Sequence, residues 1–313
     1  MSEMINSLAQ AGEFFAIIMI ELTILFIGIT FLVGVIQEYV SEEKIRRALG
    51  SDRRKVFGCV IGAAFGSLTP FCSCSTIPIF IGLVDAGVPF AIAMSFLIAS
   101  PLLNPVIIGL LLLLLGTSIT IIYTVIVFVT AVIIGLVLDA MGFERYLKSV
   151  EVVGKEEKEE ILVSATDTFW QRHAPRLKRA GTFAWSLFLH MFPYLLIGAG
   201  VGAFIYGFVP QDIIVQYAGP GNPFSIPVAA VIGVPMYIRA ETIIPIGFVL
   251  VEKGMSVGTA IALIIGGAGA SIPELTMLAG IFKRKLLIAF IAVVIGVAVV
   301  TGYLSDFLIT ILK

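Results

Sequence analysis

Apolar residues run along this chain in stretches longer than globular helices need, and only short polar or kinked segments divide them. The first run, Phe14 to Ile36, exceeds the roughly 20 residues with which a helix crosses a bilayer core. Two longer ones follow, Val56 to Val84 and Pro89 to Leu115, and then Ile119 to Leu138 after the turn Gly116-Thr117-Ser118. Beyond a polar stretch at 140–180, four more appear: Gly181 to Phe208, Ser225 to Val251, Ser256 to Ala279 and Leu286 to Ile309. The pattern predicts an all-α integral membrane protein with about eight transmembrane helices in two four-helix repeats. The first repeat occupies residues 1–139, a charged soluble linker 140–180, and the second repeat 181–313.

Several runs carry a break inside them. Pro70 and Pro78 each lack a backbone donor and disfavour helix in the preceding residue, so the Val56–Val84 run is not expected to form one helix. Pro101-Leu102-Leu103-Asn104-Pro105 interrupts the next run in the same way. Backbone freed at membrane depth must be shielded by protein or line a polar cavity. The two interrupted runs are either broken spans or contributors to a re-entrant hairpin near residues 76–84 and 89–100. Thr76-Ile77-Pro78-Ile79 is echoed by Thr242-Ile243-Ile244-Pro245-Ile246, and Gly87 and Gly254 each follow nine residues after their proline. Asn104-Pro105 falls near the position matching Pro273-Glu274. This echo supports the duplication. Four crossings per unit would make the repeats parallel, related by an axis along the membrane normal, unless hairpins change the parity.

Composition narrows the class. The chain has 313 residues, 59% hydrophobic and 13% charged, with mean hydropathy +1.08, which fits a multi-pass protein of the inner or plasma membrane whose surroundings are lipid. A net charge of -1 offers nothing to nucleic acid. Three cysteines do not make a disulfide scaffold, two histidines are thin material for a metal centre, and no cofactor motif is present. Neither a phosphate-binding glycine loop nor a His-Glu-x-x-His pattern occurs, so the chain is not read as an enzyme. The N-terminus lacks the signature of a cleaved signal peptide. Basic residues cluster at 37–55, 140–180 and 283–285. With eight crossings these cannot all share one side; the reading adopted puts the N-terminus outside, 37–55 and 283–285 inside, and the linker outside.

Candidate chemistry gathers at the breaks. Cys72 and Cys74 place two soft thiols two residues apart, beside Ser73, Ser75 and Thr76, whose hydroxyls can satisfy unwound backbone. The reading as packed cysteine carries about equal weight. In the second half, Tyr237, Arg239 and Glu241 fall in the corresponding break, and Arg239 and Glu241 are a structural ion pair or a coupling device. Asn104 and Glu274 are further candidates at the later breaks. Glu21, Glu241 and Glu274 are the carboxylates placed for proton coupling.

At Thr69-Pro-Phe-Cys-Ser-Cys-Ser-Thr-Ile-Pro78 the chain resembles the YraQ-like predicted permease family, which includes the arsenical permease ArsP. The resemblance continues through Ser100-Pro-Leu-Leu-Asn-Pro105, Gly233-Val-Pro-Met-Tyr-Ile-Arg-Ala-Glu-Thr242 and Gly269-Ala-Ser-Ile-Pro-Glu274. It implies an eight-span inner-membrane permease. For its ArsP-like members it implies efflux of trivalent organoarsenicals, with Cys72 and Cys74 as candidate substrate thiols. A metal, a sulfur compound or a small thiol is the alternative cargo; a membrane redox sensor or assembly factor is the alternative class. A homo-oligomer is compatible with either.

Overall fold

The computed structural model describes residues 2–39, 55–68, 73–148, 169–208, 224–236, 240–252 and 254–312, and the regular structure there is helical. The first half opens with the long helix α1, Ser2–Tyr39. Two short helices follow, α2 (Lys55–Leu68) and α3 (Ser73–Asp85). A tight turn leads into α4 (Phe90–Leu102), a second break into α5 (Pro105–Leu114), and a glycine turn into α6 (Thr117–Ala140). A 3-10 turn, Phe143–Tyr146, closes this half.

The same succession then repeats. Helix α7 is Phe169–Phe208; α8, Ser225–Gly233, runs on into a 3-10 turn, Val234–Met236. Next come α9 (Ala240–Glu252), α10 (Val257–Gly269), α11 (Ile272–Ile281) and α12 (Arg284–Leu312). Both ends of α3, α4 and α5 recur in α9, α10 and α11 with a shift of 167 residues, as in 240 − 73 and 281 − 114. The turns recur as well. Gly87 and Gly254 have φ of 75° and 100°, a region open to glycine because it has no Cβ. Each turn closes with the same backbone bonds, Val88 N–H to Leu83 and Met255 N–H to Leu250, both 3.0 Å.

Helix directions overturn part of the sequence expectation. Gly34 packs on Ala180 while Phe26 stacks near Phe188, so rising numbers on α1 meet falling numbers on α7. The two equivalent helices are antiparallel, and an axis along their length cannot relate them. The expected parallel arrangement is therefore replaced by an inverted one. The parity changes in the helix pairs before each tight turn. Gly62 packs on Ile92 and Gly66 on Phe96, so α2 and α4 run parallel. The chain between them must travel back, and α3 makes that return. In the second half Ser225 bonds Thr259 (2.9 Å) and Gly233 abuts Gly267, so α8 and α10 are parallel too.

Pro78 also behaves differently from expectation. Helix α3 begins at Ser73 and runs through Pro78, as α9 runs through Pro245. Each proline sits in the second turn, where it costs the hydrogen bond to the carbonyl four residues earlier without ending the helix.

Burial sets the layers. Every residue of α4 is buried, and residues 258–267 of α10 likewise, as expected of helices apolar all round. The outer helices expose apolar stripes, for example Ile121, Val125, Val129 and Ile133 on α6, with one-turn spacing. Such stripes belong against lipid. Among the described residues three helices are long and apolar enough to cross a membrane, and five if the bent pairs α4–α5 (40°) and α10–α11 (44°) each count as one span.

Candidate functional site

Small residues bring the ends of α2, α4, α8 and α10 close together. In α2, Gly58, Gly62 and Gly66 recur at one-turn spacing and let its backbone approach α4 closely. A Cβ on Gly66 would lie 2.8 Å from the Phe96 carbonyl oxygen and 3.1 Å from the Ser100 amide nitrogen. This puts the end of α2 beside the last turn of α4. The second half reproduces it: a Cβ on Gly233 would lie 2.6 Å from the Leu263 carbonyl oxygen and 2.8 Å from the Gly267 nitrogen. The two halves then meet at the breaks that end α4 and α10, where Leu102 touches Gly269.

Polar groups at these breaks are held by the backbone around them. Asn104 is the N-cap of α5, and its side-chain oxygen accepts the Ile107 N–H at 2.8 Å, with Pro105 in the first helical position where its missing donor costs nothing. Tyr123, fully buried on α6, donates its hydroxyl to the Leu102 carbonyl at 2.7 Å. That bond satisfies a carbonyl which the end of α4 leaves without a helical partner.

Two polar features distinguish the halves. Thr76 and Ser100 are fully buried hydroxyls on α3 and α4. Their equivalents 167 residues on are Ile243 and Gly267, which pack directly on one another. Glu274 is also fully buried, in the first turn of α11, where the helix dipole favours a carboxylate. Its equivalent is Ile107, so the carboxylate has no counterpart in the first half. The match between Asn104-Pro105 and Pro273-Glu274 is thus displaced by two residues: Asn104 corresponds to Ser271, the N-cap of α11.

Thr76 and Glu274 sit in the first turns of α3 and α11, and Asn104 precedes the first turn of α5. Cys72, Tyr237 and Arg239 lie outside the described residues, as do the side chains of Glu21, Ser73, Cys74, Ser75 and Glu241. Leu68 and Ser73, which bracket Cys72, are the described ends of α2 and α3. No group of three or more His, Cys, Asp or Glu suited to a metal occurs among the described residues. Tyr123 and Gly66 were not singled out by sequence reasoning, and Ser100 and Gly233 entered only as members of the resemblance motifs. The one-turn glycine spacing in α2 was the available signal.

Comparison with known proteins gives a consistent picture. A family model described as a predicted permease matches residues 7–307. The UPF0718 protein MJ0584 of Methanocaldococcus jannaschii is 23% identical over 328 residues, covering 89% of this chain and 90% of that one. The UPF0718 protein YcgR of Bacillus subtilis is 26% identical over 297 residues, covering 93% and 96%. No solved structure matches.

Proposed function

This chain belongs to the predicted permease family, and from that premise we propose that the converging ends of α2, α4, α8 and α10 border the permeation site. The observation that carries this reading is the convergence itself: Gly66 against Ser100, Leu102 against Gly269 and Gly233 against Gly267 bring these four helix ends together. Interrupted helices at membrane depth expose backbone dipoles to a bound solute, the arrangement from which many transporters build their sites.

The helix directions support a reading with six crossings: the five candidate spans, namely the bent pair α4–α5, α6, α7, the bent pair α10–α11 and α12, together with α1. The pairs α2–α3 and α8–α9 are re-entrant. Three crossings in each half invert the second repeat relative to the first, in place of eight crossings in four-helix repeats. This count also reconciles the basic residues. The connector at 37–55, the linker at 140–180 and the turn at 283–285 all fall on one side, which is the cytoplasm. The other side receives both termini, the turn at 115–118 and the connector 209–223, which has no Lys or Arg. Inverted halves support alternating access, in which one half adopts the conformation of the other and the site opens to the opposite face.

The cargo is a trivalent organoarsenical and the direction is export. Cys72 and Cys74, which follow the end of α2 by four and six residues in the sequence, offer soft sulfur ligands. Each arsenic–sulfur bond forms as an arsenic-bound hydroxide leaves with the thiol proton as water, so binding and release need no redox partner. Tyr237, Arg239 and Glu241 are assigned to the same task in the second half, with Ser73, Ser75, Thr76 and Asn104 as further polar contacts for the cargo. Glu274 carries a proton in exchange for cargo, with Glu241 and Glu21 as alternates.

The test is flux in liposomes. Wild-type protein is expected to move methylarsenite, and Cys72→Ser and Cys74→Ser are expected to lower the rate at least tenfold while eluting as folded protein. Inorganic arsenite, thiosulfate and a small thiol serve as competing cargoes. Unchanged methylarsenite flux in both variants removes the thiol role, and flux of thiosulfate alone reassigns the substrate.

A further inference from the structure

One face of the molecule carries a built cluster of cations outside the permeation site. The 3-10 turn that closes the first half is stapled to the α11–α12 turn of the second by an antiparallel bridge between Leu147 and Phe282. Lys148 N–H donates to the Ile281 carbonyl and Lys283 N–H to the Tyr146 carbonyl, each at 2.8 Å. The staple brings two cations to the Tyr146 ring: the Arg145 guanidinium lies 5.0 Å and the Lys285 amine 5.4 Å from its centre. Both are within cation–π range. Residues 143–148 and 282–285 together hold Arg145, Lys148, Lys283, Arg284 and Lys285 against the one acid Glu144.

Two of these cations are already engaged. Lys148 donates to the Ala279 carbonyl, and Lys283 to the Arg145 carbonyl at 3.3 Å. Arg145, Arg284 and Lys285 are exposed, and Arg145 and Lys285 share one ring within about a Debye length of each other. Holding like charges that close is unfavourable without an anion beside them. Immediately along the same helices the surface turns apolar, with Val137 on α6, Met141 just after it and Ile288 on α12 exposed. An anion bound here therefore has hydrocarbon beneath it, which a free ion or an acidic peptide would not use.

We propose that Arg145, Tyr146, Arg284 and Lys285 form a binding site for an anionic phospholipid headgroup at the cytoplasmic end of α6 and α12. The phosphate lies between the Arg145 and Lys285 side chains, and the acyl chains run along the exposed apolar residues below. Because the staple joins the two halves, an occupied site holds the cytoplasmic ends of both together.

Purified full-length protein in neutral detergent, titrated with dioctanoyl-phosphatidylglycerol and with dioctanoyl-phosphatidylcholine, tests this. The expected preference for phosphatidylglycerol is at least tenfold, weakening as salt rises. Arg145→Gln combined with Lys285→Gln should abolish the preference, Tyr146→Leu should reduce it severalfold, and Lys178→Gln on α7 should leave it intact. Equal affinity for the two lipids overturns the proposal, as does a preference that survives the double substitution in protein of unchanged helicity. Competition by inorganic phosphate as strong as that of phosphatidylglycerol overturns it in favour of a free-anion site.

Discussion

Leu102 and Gly269 occupy equivalent positions in the two halves, 167 residues apart, and they touch: a Cβ on Gly269 would lie 2.9 Å from Leu102 Cδ2. Two equivalent positions that contact each other must lie on the axis relating the halves. A large residue on one side is therefore accommodated by the smallest one on the other, and this pair breaks the symmetry at the point where the breaks meet.

Overfilling that contact should be costly and reversible. Gly269→Ala is expected to destabilise the protein by about 1–3 kcal/mol, read as a lowered melting midpoint in detergent. Adding Leu102→Ala should recover part of the loss. Val294 Cγ1, which would lie 3.0 Å from the new methyl, limits that recovery. Purely additive losses in the double variant would show that the two positions do not share the space.

Reporter fusions check the crossing count. A fluorescent protein inserted at residue 155 or 284 should mature in the cytoplasm, while alkaline phosphatase fused after residue 116 or 218, or at the C-terminus, should be active outside. An eight-crossing chain with an external linker would place residue 155 outside and residue 284 inside, and that result would sink the inverted arrangement.

Asp139 and Asp306 are equivalent residues with different work. Asp139 pairs with Lys55 at 3.4 Å, their side chains 19% and 41% exposed, whereas Asp306 accepts the Gly258 N–H at 2.6 Å at the start of α10. The first is a solvent-screened pair worth at most about 1 kcal/mol. The second caps a helix, and its loss should cost about 1–2 kcal/mol. Comparing Asp139→Asn with Asp306→Ala by thermal unfolding should give the larger drop for the latter, and equal drops would contradict the assignment.

Tyr123 anchors the end of α4 through the Leu102 carbonyl, while its equivalent in the second half is Phe290, without a hydroxyl. Tyr123→Phe should lower stability by about 0.5–1.5 kcal/mol and Phe290→Tyr should confer no matching gain. A neutral Tyr123→Phe in unfolding experiments would mean that the carbonyl finds another donor.

Much of this fold was legible in the sequence. Long apolar runs gave the membrane class, Pro101 to Pro105 gave the α4–α5 break, and the spacing from Pro78 to Gly87 and from Pro245 to Gly254 marked the recurrence. Direction was not legible. The α2–α3 and α4–α5 stretches have similar length, composition and prolines, yet one folds back while the other continues with a 40° bend. What decides between them is the close approach of Gly62 and Gly66 to the α4 backbone, a contact between segments that periodicity along the chain cannot register. The same limit displaced the Asn104 match, because the N-cap role passes to Ser271 while both prolines remain nearby. Asn104 and Glu274 stood out by their polarity inside apolar runs, whereas Tyr123 did not, because Tyr is a common packing residue in such helices.

The bridge between Leu147 and Phe282 has one more implication. Backbone hydrogen bonds already fasten the tail of the first half to the far end of the second, so the covalent link through residues 149–168 is redundant for keeping the halves in register. A protease nick there, or a gene severed at that point, should still yield two polypeptides that copurify as a single particle.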